Sequence, residues 1–379
     1  MEEKLKLYLR SLIANEGSDL HIKAGSNIRV RVHGILRVLG NEVLDKEQVS
    51  QLVKEIITPE LQKKLEKQGF VDFSYMPDTH SRFRVNIFYQ MDGASMVFRL
   101  IPTTIATLEE LKLPEIIGSF ADIPRGLVLV TGVTGSGKST TLAAILHKIN
   151  HTYHKHIITL EDPIEFVHKD AKCLINQRAL GTDFYQFKDA LPAALREDPD
   201  VIFVGEMRDP ETIEMALHAA NTGHLVFSTL HTLDAKETIS RIVGVFPREE
   251  QHRIRLSLSS VLSGIISQRL LPAKNGGRIV AAEVMIQTTR IRELIAKNLD
   301  VEILDAIEEG QDIYHSQSFD QHLLEMVDGR TISEEVALEY ATKPSDLKLK
   351  LEGVGRGGAR KIMHEIDETE MEAFAFKDE

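Results

Sequence analysis

Of 379 residues only Cys173 is a cysteine. No intrachain disulfide can form from it, and a structural zinc site of four thiolates is excluded as well, so the expected compartment is a reducing cytoplasm. No apolar run approaches the roughly 18 residues of a spanning helix. The opening MEEKLKLYLRSL alternates charge with leucine, which predicts an amphipathic helix where a signal peptide needs an unbroken apolar stretch. An excess of positive charge is also missing: 45 basic against 57 acidic residues leave a net charge of -12. No series of aromatics is spaced for base stacking, and both absences argue against a nucleic acid partner. What remains, 42% hydrophobic and 27% charged, is the composition of an ordinary globular protein. At roughly 150 residues per domain the length suggests two or three domains.

A small α+β domain is expected over residues 1–101. Ile28 to Val32 and Arg82 to Tyr89 alternate with strand period, and Lys46 to Ile57 has helical period. Thr58 followed by Pro59 supplies a cap and a first-turn proline for a further helix ending near Gly69. Residues 102–125, with LEELKLPEIIGSF at their centre, read as a linker carrying one or two short helices. From Gly126 short β-rich apolar runs (GLVLVTG, HIITLE, DVIFVG, HLVFSTL) are separated by helical stretches. That alternation belongs to a parallel sheet with helices on both faces, so an α/β domain is expected over 126–352, turning mostly helical after about residue 234. Residues 353–379 begin glycine-rich, continue acidic and have little apolar content to bury, so a flexible acidic tail is expected there.

The strongest chemical signal is Gly132-Val-Thr-Gly-Ser-Gly-Lys-Ser139, a full G-x-x-x-x-G-K-[ST] between an apolar strand, Leu127 to Thr131, and a helical run, Thr140 to Asn150. Glycines at such a loop let successive N–H groups approach a phosphate at a helix N-terminus. Gly132, Thr134, Gly135, Ser136, Gly137, Lys138, Ser139 and Thr140 are therefore the expected nucleotide contacts. ATP and Mg²⁺ are the expected cofactors, with Lys138 on the β- and γ-oxygens and the Ser139 hydroxyl on the metal. An acidic group is then needed at the end of a neighbouring strand. Asp200-Val-Ile-Phe-Val-Gly-Glu206 supplies it; Gly205 occupies the usual aspartate position, so Glu206 is expected to reach Mg²⁺ through a water. Glu161-Asp-Pro-Ile-Glu165 follows another apolar strand and offers a carboxylate to orient or activate an attacking water. In Thr222-Gly-His-Leu-Val-Phe-Ser-Thr-Leu-His-Thr232, His224 opens a strand and His231 follows it, both placed to sense phosphate. His147, His151, His154 and His156 lack supporting cysteine or carboxylate geometry and read as a polar connection, not a metal cluster.

The boxes GVTGSGKST, ITLEDPIEF, DPDVIFVGEMRD and TGHLVFSTLHT, in this order, resemble the type II/type IV secretion ATPase superfamily. Within it Ser18-Asp-Leu-His-Ile22, RFRVNIFYQ and RGLVLVTG look like the type IV pilus retraction ATPases, the PilT/PilU group, and the resemblance covers about residues 5–350. Assembly ATPases carry a four-cysteine metal element that this sequence does not have. Arg290-Ile-Arg-Glu-Leu-Ile295 stands where the group has AIRNLI, with Arg for the first Ala and Glu for Asn. ALEYATKPSDLKLKL is nearer PilU and REDPDVIFVGEMRD nearer PilT, which leaves a motor role and an accessory role both open.

The resemblance implies an α/β fold made of an N-terminal PAS-like α+β domain and a RecA-like P-loop ATPase domain with a helical C-terminal part. It implies a homohexamer that hydrolyses ATP to power pilus retraction and twitching motility. Such a motor acts on an inner-membrane pilus platform protein, from the cytoplasmic side of the inner membrane, with a second retraction ATPase as a further candidate partner. Arginines from a neighbour's N-terminal domain complete each P-loop, and the matching candidates are Arg82, Arg84 and Arg99. Glu165 aligns with the glutamate to which the family assigns water activation, with Glu161 as the alternative; Glu206 and His231 complete the expected catalytic set. A pilus-assembly or secretion ATPase and a nucleic acid translocase are the remaining alternatives.

Overall fold

Leu5, Leu9 and Leu12 recur at helical spacing in α1 (Glu2–Ala14) and are all buried, each such side chain contributing about 2 kcal/mol when removed from water. This and the following description come from a computed structural model that describes residues 1–32, 34–78, 81–102 and 104–353. The chain divides into two compact units: the first is Met1–Ile105 with Glu161–Lys169 and Gln177–Gln186, the second Ala106–Leu160, Asp170–Asn176 and the residues from Phe187 on.

In the first unit the strands β1 (Gly17–Lys23), β2 (Asn27–Val32), β3 (Ile35–Val43), β4 (Phe70–Tyr75), β5 (Arg82–Gln90) and β6 (Gly93–Ile101) form, among the described residues, a six-stranded sheet of order β3-β2-β1-β6-β5-β4. Every pairing in it is antiparallel. Helix α2 (Lys46–Ile56) starts at a capping box in which Asp45 accepts from the Gln48 N–H and Gln48 reaches back to Asp45. Helix α3 (Pro59–Gln68) has Thr58 as its cap, Pro59 in the first turn and Gly69 at φ 81° as its stop, as the sequence signals require. Phe83, Val85 and Ile87 point into the core shared with Leu5, Leu9, Val49 and Leu52. Arg82 and Arg84 alternate with them and so lie on the opposite face of the sheet.

The second unit is built on β7 (Gly126–Thr131), β8 (His156–Glu161, whose last residue is counted with the first unit), β9 (Leu174–Ala179, counted with the first unit from Gln177), β10 (Val201–Val204), β11 (Leu225–Leu230), β12 (Leu262–Pro272) and β13 (Arg278–Ile286). Among the described residues they make a seven-stranded sheet of order β13-β12-β7-β11-β10-β8-β9. β12, β7, β11, β10 and β8 run parallel, and β13 returns antiparallel to β12. All residues of β7, β10 and β11 are buried, which is why they read as unbroken apolar runs instead of alternating ones. Helices α4 (Lys138–Thr152), α5 (Phe187–Ala194), α6 (Pro210–Asn221), α7 (Ala235–Gly244) and α8 (Arg248–Val261) fall between or after these strands. The C-terminal part carries α9 (Thr289–Ala296), α10 (Ile303–Glu309), α11 (Gln311–Tyr314), α12 (Phe319–Asp328), α13 (Glu334–Tyr340) and α14 (Pro344–Leu351).

Two expectations change here. The region after residue 234 is not mostly helical throughout, because the long β12–β13 hairpin interrupts it. β12 is buried along most of its length, so LSGIISQRLLP carries no period of two and continues the apolar spacing of α8. Residues 102–125, expected as a linker, place Leu108, Leu113, Ile117, Phe120 and Ala121 in the core of the second unit, with a 3-10 turn over Glu115–Ala121. Phe120 lies so close to β12 that a Cβ on Gly264 would be 2.3 Å from its ring. The tail expected over 353–379 lies outside the described residues from position 354.

His322 on α12 accepts a hydrogen bond at Nδ1 from the Ala282 N–H of β13 (3.0 Å), and burial pushes its imidazole down to about 4. The folded chain therefore favours the neutral ring; that stability is present above about pH 6.5 and is lost as pH falls towards 4. Thermal melts between pH 7 and 4 should show a smaller loss of melting temperature for His322→Asn, whose Oδ1 takes the place of Nδ1 without titrating, than for the parent chain. Equal acid sensitivity of the two would show that His322 does not drive it.

Candidate active site

β7 ends at Thr131, whose buried hydroxyl donates to Ser267 Oγ of β12 at 3.0 Å. The next residue cannot carry a side chain: Gly132 has φ 142°, and a Cβ there would stand 2.5 Å from the Gln268 carbonyl and 2.5 Å from Ser136 Oγ. The loop then exposes Val133, Thr134 and Gly135 and turns back through the buried Ser136 to Gly137, the residue before α4. Ser139 and Thr140 lie half-buried in the first turn of α4, and Thr141 behind them accepts from Gln268 Nε2 at 2.7 Å. Lys138 is buried and donates Nζ to the carbonyls of Gly132 (2.7 Å) and Val133 (3.0 Å). Ser136 Oγ is buried without a hydrogen-bond partner. A helix N-terminus, an ammonium folded over the loop and an orphaned hydroxyl together fit the phosphates of a nucleotide and its metal.

The strands beside β7 deliver the other groups to the same carboxyl edge. Gly205 is clamped after β10, its N–H donating to Leu160 O (2.7 Å) and its carbonyl accepting from Thr229 Oγ1 (2.6 Å). Glu206 leaves the sheet from this clamp. Its Oε2 accepts from Arg208 Nη2 at 2.7 Å and lies 3.5 Å from His231 Nε2, one residue past β11. Glu206, Arg208, His231, Glu237 and Arg241 line a cavity of about 470 Å³. His231 is thus brought to Glu206. His224 is not: β11 runs parallel to β7 with Leu225 beside Gly126 and Leu230 beside Thr131, so His224 sits at the amino edge, about 20 Å of strand from the loop. There Nδ1 faces the Ala219 carbonyl at 2.9 Å, and the expectation of a nucleotide contact in its own chain is corrected.

In the acidic box Glu161 is the last residue of β8, buried, with Oε1 accepting from Gln177 Nε2 at 3.1 Å, while Glu165 is exposed. On the first unit's sheet Arg84 and Arg99 are direct cross-strand partners, and Arg82 shares their face. Arg82 Nε donates to Ser74 Oγ (2.7 Å), Arg84 lies 3.8 Å from Asp72, and Arg99 Nε donates to Asp19 Oδ1 (2.7 Å). Burial acts to raise the Asp19 carboxyl, but hydrogen bonds from Ser18 and Arg99 outweigh it and hold the group below its ordinary value. Asp19 and Arg208 were not among the expected site residues. Arg208 was signalled by its place in GEMRD, two residues after Glu206, whereas nothing local in Ser18-Asp-Leu-His-Ile22 points to Arg99. In α9, Ile291, Leu294 and Ile295 are buried, and Arg290, Arg292 and Glu293 are the exposed residues of that motif.

Residues 1–338 match the family described as type II/IV secretion system protein. The type IV pilus retractation ATPase PilT of Pseudomonas aeruginosa is 48% identical over 339 residues, covering 89% of this chain and 98% of that protein. The type IV pilus ATPase PilU of the same species is 37% identical over 344 residues, covering 90% of both. A crystal structure of the pilus retraction motor PilT with bound ADP superposes with a TM-score of 0.83 at 43% identity, covering 90% of this chain and 98% of that one. The chain belongs to the type II/IV secretion ATPase family, and within it to the type IV pilus retraction ATPases.

Proposed function

We propose that this chain is a Mg²⁺-dependent ATPase that powers type IV pilus retraction and so twitching motility. The observation that carries the proposal is the loop from Gly132 to Ser139, with its buried, unpartnered Ser136 hydroxyl and inward Lys138, on the same sheet edge as Glu206 and His231. Backbone N–H groups of the loop and Lys138 would bind the β- and γ-phosphates of ATP, and the Ser139 hydroxyl and Glu206 are the groups that would hold the metal. When bound, Mg²⁺ neutralises charge on those oxygens. Glu165 takes the proton of the attacking water, a role that its exposed carboxylate suits better than that of Glu161, which is buried against Gln177. His231 and Arg208 hold the Glu206 carboxylate in place.

The greater likeness to PilT than to PilU supports the motor role over the accessory one. The strand order around β7 supports a RecA-like second unit, and the antiparallel sheet with α1–α3 on one face supports a PAS-like first unit. The working form is a homohexamer on the cytoplasmic side of the inner membrane, acting on the pilus platform protein, with a second retraction ATPase as a further partner. No helix among the described residues is long and apolar enough to cross a membrane. Arg82, Arg84 and Arg99 complete a neighbour's nucleotide site. Two adjacent like charges, Arg84 opposite Arg99, are unfavourable in an isolated sheet and are relieved by an anion such as the γ-phosphate.

Deleting the gene should leave cells with excess, non-retracting pili; bald cells would indicate an assembly motor instead. Glu165→Gln should bind Mg-ATP and assemble while steady-state phosphate release falls by about 10² or more. Near-normal turnover in that variant, with loss in Glu161→Gln, would move the base to the earlier glutamate. Gly132→Ala combines a forbidden φ with two contacts at 2.5 Å, so nucleotide affinity measured by titration calorimetry should drop by about tenfold or more.

A further inference from the structure

Glu283, in the middle of β13, is 2% exposed, and none of the nucleotide-site boxes includes it. Its Oε1 accepts the N–H of Ala235, the first residue of α7, at 2.8 Å. Directly across the ladder stands Ser267 of β12, whose Oγ accepts from Thr131, the residue before Gly132. Paired strand residues share a face, so Thr131, Ser267 and Glu283 form one row running from the foot of the nucleotide loop to the start of α7.

The segment between His231 and α7 is braced within itself. Asp234 accepts from the Glu237 N–H (2.7 Å), Glu237 Oε2 accepts from the Leu233 N–H (2.8 Å), and the hydroxyls of Thr232 and Thr238 meet at 2.7 Å. A shift of Ala235 is therefore carried to His231 and to its approach to Glu206. We infer that Glu283 is a positioning residue for ATP hydrolysis, holding the N-terminus of α7 so that His231 meets Glu206 in fixed register with the nucleotide loop. This rests on the ATPase reading above.

The hold is pH-dependent in a definite direction. Burial pushes the Glu283 carboxyl up to about 7; the Ala235 N–H and Arg269 of β12 act against that, and Asp234 before α7 and Asp320 of α12 act with it. An ionised carboxylate holds a helix N-terminus more strongly than the neutral acid, so the link tightens as pH rises through about 7. Global stability runs the other way: with the folded value raised, this group's contribution is full below about pH 4.5 and is lost as pH rises through about 7. A purely structural role would therefore move the melting temperature and leave turnover alone.

The test uses the full chain as wild type, Glu283→Gln and Glu283→Ala, with kcat and KM for ATP measured from pH 6 to 8.5 beside thermal melts. Gln keeps the volume and an acceptor for Ala235 but cannot ionise. At pH 8 its kcat should be about three- to tenfold below wild type with KM within about twofold, and its profile should lack the wild-type rise through about 7. Glu283→Ala should lose about tenfold or more in kcat. A second readout needs no turnover: backbone amide hydrogen exchange at pH 8 over residues 231–235 should be faster in Glu283→Gln than in wild type, because the Ala235 N–H loses its ionised acceptor. Superimposable profiles of wild type and Glu283→Gln, an effect on KM alone, or a Glu283→Gln chain that does not fold would each overturn the inference. A wild type without ATPase activity would overturn the ATPase reading instead, and amide exchange over 231–235 would still decide whether Glu283 holds that segment.

Discussion

Gly132 packs against the Gln268 carbonyl of β12 at a distance that leaves no room for a Cβ, and the nucleotide site depends on that contact. β12 lies beside β7 in parallel register, with Ser267 paired to Thr131, so the loop leaves the sheet with a neighbour already alongside. The chain has to turn at positive φ at Gly132, Gly135 and Gly137 before α4 can begin. The turn aims the first N–H groups of α4 into the loop and folds Lys138 over it. A helix entered with this geometry is an anion site by its dipole and unpaired donors, before any side chain is counted. The same parallel order sets the other groups: β10 and β11 end on the edge where β7 ends, so Glu206 and His231 meet there and His224 cannot.

Much of this was legible in the sequence, for separable reasons. α2 was readable from its helical period, and α3 because its ends are local chemistry: Thr58 with Pro59, and Gly69 in the left-handed region. β7, β10 and β11 were readable because burial on both faces leaves apolar runs too short for helices. The same burial hid β12, whose apolar residues follow α8 without a break and match its spacing until Pro272. Residues 102–125 looked like a linker because Leu108, Ile117 and Phe120 bury themselves from short turns, where no period reveals a face. The order of strands was not local information at all. His224 and His231 are equally plausible until β11 is known to run parallel to β7, and then one strand length separates them.

The arginines of the first unit show a different balance. Strand alternation alone puts Arg82 and Arg84 on the face away from the apolar core, and the hairpin register brings Arg99 opposite Arg84. Like charges across a ladder destabilise a sheet by tenths of a kcal/mol to about 1 kcal/mol. The fold answers with Asp19, a buried carboxylate reachable by both Arg99 and Arg31, and with Asp72 beside Arg84. These counter-charges fix where the guanidinium groups stand without covering them: Arg99 remains 65% exposed. A cluster held in place but left open to solvent keeps its guanidinium donors facing water, which is what the role proposed for these arginines at a neighbour's nucleotide requires.

Two carboxylates of the second unit divide the same problem by burial. Glu206 lies at the edge, partly in water, engaged by Arg208 and facing His231, so its charge is stabilised by an exposed guanidinium that can let go. Glu283 lies inside, where its acceptor is committed to one backbone N–H and its charge is opposed by the surroundings. Buried ionisable groups of that kind cost stability and are easily replaced by apolar residues where packing is their only role. A carboxylate that has one strand between it and the strand entering the nucleotide loop, and one hydrogen bond to the helix after His231, is better explained by the geometry it maintains. The loop is held by rigid backbone, the edge carboxylate stays open to water beside Arg208, and the buried one ties the start of α7 to β13.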